Sequence, residues 1–158
     1  RTTALGLGNV QYYDRLGIGE VIRDQSGTID EIRIADQDSP AYLHYHHELV
    51  SEDPMGFVLE NGVFRKALMD EIAKEKTIEI FDNVQWKSIK QDSHFAQVAL
   101  KDGRALTAKI IIAADGKKSA VRDYVKIPYR VKSYKQTAIV GIIEHEKNHE
   151  NVALERFL

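Results

Sequence analysis

The stretch Ile110-Ile111-Ile112-Ala113-Ala114-Asp115-Gly116 limits what this chain can fold into more than any other. Five apolar residues without alternation suggest a strand covered on both faces, as in a parallel sheet flanked by helices. Asp115-Gly116 then turns the chain sharply, because glycine takes positive φ freely and an aspartate side chain can bond back to its own backbone. Ser119 stands where a hydroxyl caps a short helix running through Val121 and Arg122 towards Val125. A buried strand that ends in a small-residue turn and a helix start is where α/β folds build cofactor sites. An ordinary strand–turn–helix corner, with Asp115 paired to Arg122, carries the same pattern.

Composition narrows the function classes. The chain has 158 residues, enough for one domain, and its 43% hydrophobic and 29% charged content belongs to a globular protein. A net charge of -2 supplies no electrostatic footprint for nucleic acid. With no cysteine, disulfides, thiolate metal sites and a cysteine nucleophile are excluded. No apolar run approaches the ~20 residues of a spanning helix, although a peripheral membrane contact stays open. The histidines at 44, 46, 47, 94, 145 and 149 lie beside no serine in an elbow context, so no catalytic side chain is expected.

Taken in order, Leu5, Val10, Tyr13 and Leu16 fall near helical spacing, which predicts a helix over 3–16 stopped at Gly17. Gly6 and Gly8 within it suggest a close approach by backbone or ligand, and a loosely made helix explains them equally well. A second helical turn follows at 19–23. Strands near 29–34 and 41–46 predict a hairpin around the turn 36–40. His44, His46 and Glu48 alternate onto one face, within reach of a common ion. A polar edge strand explains them better, and no metal is expected. A short strand at 57–59 leads to a helix capped by Asn61, with Phe64, Leu68 and Ile72 every four residues. Strands are expected at 77–81, at 84–90 and 95–101 as antiparallel neighbours, and at 106–114 after the Asp102-Gly103 turn. Trp86 is expected to be a packing anchor. The apolar run 138–143 predicts a central strand, and 152–158 a returning one.

Ala113-Ala114-Asp115-Gly116-Lys117-Lys118-Ser119-Ala120-Val121-Arg122 resembles the A-D-G-x-x-S-x-V-R motif of flavin-dependent aromatic hydroxylases. Gly56-Phe57-Val58-Leu59-Glu60-Asn61 is similar to a second stretch of the ubiquinone-biosynthesis group. So are Tyr134-Lys135-Gln136-Thr137-Ala138, Glu144-His145-Glu146, His149 and Ala153-Leu154-Glu155-Arg156-Phe157. The opening Arg1-Thr2-Thr3-Ala4-Leu5 matches as well. Order and spacing agree along the chain, and the resemblance is greatest to the 2-polyprenyl-6-methoxyphenol hydroxylases.

The resemblance implies a mixed α/β fold, the central part of a two-domain FAD-dependent hydroxylase. Residues 1–125 would belong to a Rossmann-like flavin domain with substrate-side strands inserted at about 28–46, and 126–158 would begin the mixed substrate-domain sheet. It implies FAD as cofactor and NAD(P)H as cosubstrate, with a polyprenylated phenol ring hydroxylated at the expense of dioxygen. Arg1, Asp115, Gly116, Ser119 and Arg122 would bind the cofactor. The protein would be cytoplasmic, peripheral to the inner membrane or held in a ubiquinone-biosynthesis complex. In related hydroxylases a glutamine before the helix at 61 touches the flavin; that position falls on Phe57, so a side-chain amide contact is lost. The glycine-rich fingerprint is also missing, Gly6-Leu7-Gly8-Asn9 being the nearest stretch. The chain therefore resembles the middle of a larger enzyme. The alternative is an interaction or regulatory domain that keeps the architecture without catalysis.

Overall fold

Thr2 and Thr3 are β-branched and favour extended backbone. In the computed structural model, which describes residues 1–157, they open a strand rather than a helix. The elements are β1 (Thr2–Gly6), α1 (Leu7–Asp14), α2 (Gly19–Asp24), β2 (Ser26–Ile29), β3 (Glu31–Asp36) and β4 (Tyr42–His46). A 3-10 turn (His47–Leu49) precedes β5 (Gly56–Glu60) and α3 (Asn61–Ile72). Then come β6 (Trp86–Gln91), β7 (Ala96–Leu100), β8 (Ala105–Ala108), α4 (Ala120–Tyr124) and β9 (Val152–Phe157). The fold is mixed α/β. Its contacts group it into two compact units, Arg1–Ile78 with Ala138–Leu158, and Glu79–Thr137.

In the first unit β5 lies between β1 and β2, antiparallel to both. Phe57 and Leu59 are buried in a cluster with Leu5, Val10, Ile18, Ile22 and Ala67. The helix expected over 3–16 is therefore two elements. Leu5 reaches the core from a strand, and Val10 from the helix that follows, because β5 offers a hydrogen-bonding edge that outweighs local spacing. A Cβ added at Gly6 or Gly8 would meet nothing within 4 Å; the crowded position is the one opposite Gly6 in the ladder. That is Gly56, where an added Cβ would stand 2.5 Å from the carbonyl oxygen of Leu5. Asn61 does not cap α3 either; Glu60 holds the N-cap position without a side-chain bond. Asn61 instead takes a hydrogen bond from the Thr3 hydroxyl at 2.6 Å and gives its N–H to the Arg1 carbonyl at 2.9 Å, fastening the helix to β1.

The same unit holds a second sheet, ordered β4-β3-β9. The expected hairpin is β3 with β4, while β9 joins the other edge of β3 in parallel, Ile32 facing Ala153. No strand forms over 138–143, where Ile139 is 97% exposed. Leu158, the last residue of the returning strand expected from sequence, lies outside the described residues.

The second unit is built on the meander β6-β7-β8, turned at Asp102-Gly103 with Gly103 at φ +94°. Trp86 packs edge-on against Tyr124 with ring centroids 5.2 Å apart, the anchoring role expected of it. Residues 77–81 form no strand. Nor do 109–114, where Ile112 is 85% exposed against the expectation of a strand covered on both faces. An apolar run becomes a strand only where neighbours take up its N–H and C=O groups. Among the described residues no strand pairs with either run.

Gly56→Ala should lower stability by about 1–3 kcal/mol, since a methyl group cannot coexist with the Leu5 carbonyl. Gly62→Ala, in α3 with open space around it, should instead raise stability by about 0.5–1 kcal/mol. Urea midpoints of the two variants test this; a shift in the same direction for both would contradict the close approach.

Candidate functional site

Ser119 ends an irregular stretch and starts α4, as its residue type predicts. Its Oγ accepts the Arg122 N–H at 3.0 Å, and its own hydroxyl donates to Asp115 Oδ1 at 2.5 Å. The other oxygen, Asp115 Oδ2, accepts the Val121 N–H at 3.1 Å. Two N–H groups of the first turn of α4, which would otherwise lack partners, are thus satisfied by one hydroxyl and one carboxylate. Gly116 sits between them at φ +82°, a conformation that side-chain-bearing residues rarely adopt, with nothing within 4 Å of where a Cβ would stand.

Asp115 and Arg122 do not pair. Both carboxylate oxygens already accept hydrogen bonds, and the Arg122 guanidinium turns elsewhere. Its Nη2 donates to the Lys117 carbonyl at 3.1 Å, and its central carbon lies 3.7 Å from the centre of the Tyr129 ring. Arg122 Nε is buried without a hydrogen-bond partner. A cleft of about 410 Å³ adjoins this turn, lined among others by Phe95, Ile111, Ala113, Val121 and Val125. The structure thus gathers Asp115, Gly116, Ser119 and Arg122 into one turn. Arg1 belongs to the other compact unit, where it borders a cleft of about 330 Å³ with Thr2, Ala138 and Val140. Phe57 is only 4% exposed and packs in the core.

A second polar cluster was not singled out by the sequence. Glu31 on β3 is 7% exposed. Its carboxylate takes hydrogen bonds from Arg33 Nε and Nη2 and lies 2.7 Å from His44 Nε2 on β4. The Arg33 guanidinium holds the Glu31 carboxyl below its ordinary range, with smaller help from His44 and His46. The available signal was pairing register: Arg33 faces His44 and Glu31 faces His46 across the hairpin.

The Asp115 carboxyl is also held below its ordinary range, first by the Ser119 hydroxyl and then by the Val121 N–H, while burial opposes them. A carboxyl with a depressed native pKa adds stability above its unfolded value of about 3.9 and loses it as pH falls through the lower native value. The Val121 amide resonance should therefore titrate with a midpoint below about 3.9, and Ser119→Ala should move that midpoint up. A wild-type midpoint at or above that value would contradict the geometry.

Comparison with known proteins shows the family to which the chain belongs. A family profile described as the FAD binding domain matches residues 3–155. Ubiquinone hydroxylase UbiL of Rhodospirillum rubrum is 31% identical over 158 residues, covering 100% of this chain and 37% of that protein. The mitochondrial ubiquinone biosynthesis monooxygenase COQ6 of Danio rerio is 26% identical, covering 100% of this chain and 35% of that protein. The chain thus spans well under half the length of these relatives. Among solved structures, PqsL of P. aeruginosa superposes with a TM-score of 0.72 at 21% identity, covering 85% of this chain and 37% of that one. The p-nitrophenol 4-monooxygenase PnpA of Pseudomonas putida gives a TM-score of 0.65 at 19% identity, over 77% of this chain and 32% of that one. At those identities they share the fold. The match over all but the ends of the sequence, with the turn at Asp115 lying within it, makes this chain a member of the FAD binding domain family.

Proposed function

We propose that this chain serves an FAD-dependent monooxygenase that hydroxylates a polyprenylated phenol ring in ubiquinone biosynthesis, using NAD(P)H and dioxygen. The observation that carries the reading is the 31% identity to a ubiquinone hydroxylase along the whole chain. The order of the hydroxylase-like motifs supports it and favours a 2-polyprenyl-6-methoxyphenol as substrate.

The residues of the Asp115 turn fit a nucleotide cofactor. Each oxygen of Asp115 retains a lone pair for a ribose hydroxyl, the backbone at Gly116 has an open face, and Arg122 Nε has no hydrogen bond, Asp123 Oδ1 standing 3.8 Å away. Asp115, Gly116, Ser119 and Arg122 would hold FAD and the nicotinamide nucleotide here, and Arg1 would grip phosphate oxygens with its guanidinium fork. Bound flavin would supply the redox chemistry. The protein's own part is to bind, orient and exclude water. Ser119 acts by holding Asp115, so it is a positioning residue.

We assign residues 1–125 to the flavin domain, with the β3–β4 hairpin inserted from the substrate side, and 126–158 to the substrate-domain sheet. The pairing of β3 with β9 supports putting the hairpin and residues 152–157 on one surface. We place the protein in the cytoplasm, touching the inner membrane peripherally or within a biosynthetic complex to reach a lipid-tailed substrate. No helix among the described residues is long and apolar enough to cross a membrane.

Asp115→Ala in the full-length protein should leave it folded and lower flavin retention, or flavin reduction by NAD(P)H, by at least about tenfold. Anaerobic stopped-flow reduction after measuring flavin content tests this. Wild-type values for both would leave Asp115 as a turn residue. Failure of the wild-type protein to hold flavin, or to couple NAD(P)H oxidation to hydroxylation of a polyprenylated phenol, would favour a non-catalytic interaction domain.

A further inference from the structure

β4 ends at His46, and the backbone passes directly into the 3-10 turn His47–Leu49. Strand alternation would group His44 and His46 with Glu48. The structure sorts these side chains differently. His44 is taken up by Glu31, with Nε2 2.7 Å from Oε1. The turn brings His47 and Glu48 to His46 instead. The His46 and His47 rings stack with centroids 4.8 Å apart and planes 28° from parallel, and Glu48 Oε2 lies 3.6 Å from His46 Nδ1. One donor atom from each of the three residues lies within 4.8 Å of the others. His47 Nδ1 is buried with no hydrogen-bond partner, a costly state for an imidazole nitrogen that nothing else engages.

We propose that His46, His47 and Glu48 form a binding site for a divalent transition-metal ion of the zinc class. Two imidazoles and one carboxylate make a mixed nitrogen and oxygen set that suits Zn²⁺, Ni²⁺ or Cu²⁺. Mg²⁺ and Ca²⁺ prefer oxygen donors throughout. With three protein donors, water completes the coordination. Tetrahedral zinc, with bonds of about 2.0–2.2 Å, draws its ligand atoms to roughly 3.3–3.5 Å from one another. The set must therefore tighten. Glu48 can follow, its side chain being 75% exposed, and the His46–His47 stack must open, because the in-plane lone pairs of two stacked imidazoles do not converge on one ion. The one bond tying His46 Nδ1 to the Glu48 N–H is long, at 3.4 Å, and gives way easily. Arg33 puts no unbalanced positive charge nearby, because Glu31 binds its guanidinium. The site lies in the other compact unit from Asp115 and does not depend on the flavin assignment.

The test is calorimetric titration of Zn²⁺ into the full-length protein at neutral pH, stripped with chelator and freed of any histidine tag. One ion should bind per chain, unaffected by excess Mg²⁺. His47→Ala and Glu48→Gln should each weaken binding roughly tenfold or more, while His94→Ala, in the other unit, should leave it unchanged. Glu48→Gln keeps the test decisive if His47→Ala does not fold, because Glu48 is exposed and circular dichroism can verify its fold. Absence of saturable Zn²⁺ binding, or wild-type affinity in Glu48→Gln, overturns the proposal. So does loss of affinity in His44→Ala with none in His47→Ala, which would return the site to the strand face.

Discussion

Strand β5 is hydrogen-bonded on both edges, and the first compact unit depends on that double pairing. Phe57 faces Leu5 on one side and Thr28 on the other; Leu59 faces Thr3 and Ser26. The inward side chains Phe57 and Leu59 are 4% and 0% exposed. Burial of each is worth about 1.5–3 kcal/mol. This geometry requires a residue without a side chain at Gly56, and it sets the direction in which α3 leaves the sheet. A polar side chain in place of Phe57 would sit among Leu5, Leu59 and Val10. The chain uses that position for packing.

What could be read from the sequence was what neighbours in sequence decide. The hairpin β3–β4 and the meander β6-β7-β8 each join consecutive strands, and the Asp102-Gly103 turn lies between two of them. The stripe of Leu5, Val10 and Tyr13 misled because two different elements contribute to one core. The apolar runs 109–114 and 138–143 have strand composition, but composition supplies no partner. The Asn61 side chain serves Thr3, which lies 58 positions away; a helix-start rule cannot see that contact.

The same distinction holds at the candidate sites. Every hydrogen bond that shapes the Asp115 turn spans six residues or fewer, so Ser119 as a cap and Gly116 at positive φ were both legible. The Asp115–Arg122 pair of the ordinary-corner alternative does not form, because the nearer O–H and N–H donors occupy the carboxylate first and Tyr129 offers the guanidinium a flat face. Around Glu31 the arrangement depends on hairpin register, and around His47 on the residue at which β4 stops. A shift of one residue in either would regroup the histidines completely.

The parallel pairing of β3 with β9 also sets an order of events during synthesis. Asn151 donates to Asp30 across 121 positions, and its carbonyl receives the Asp30 N–H. At a translation rate of about 5–20 residues per second, β3 emerges roughly 6–24 s before the strand that completes its sheet. During that interval β3 has only β4 beside it, and its other edge presents unpaired N–H and C=O groups to any extended chain nearby. A ribosome pausing within the intervening residues would lengthen the exposure without changing the final structure. Codon usage there, and the chaperones that meet the nascent chain, therefore bear on yield in a way that the folded protein's stability does not reveal.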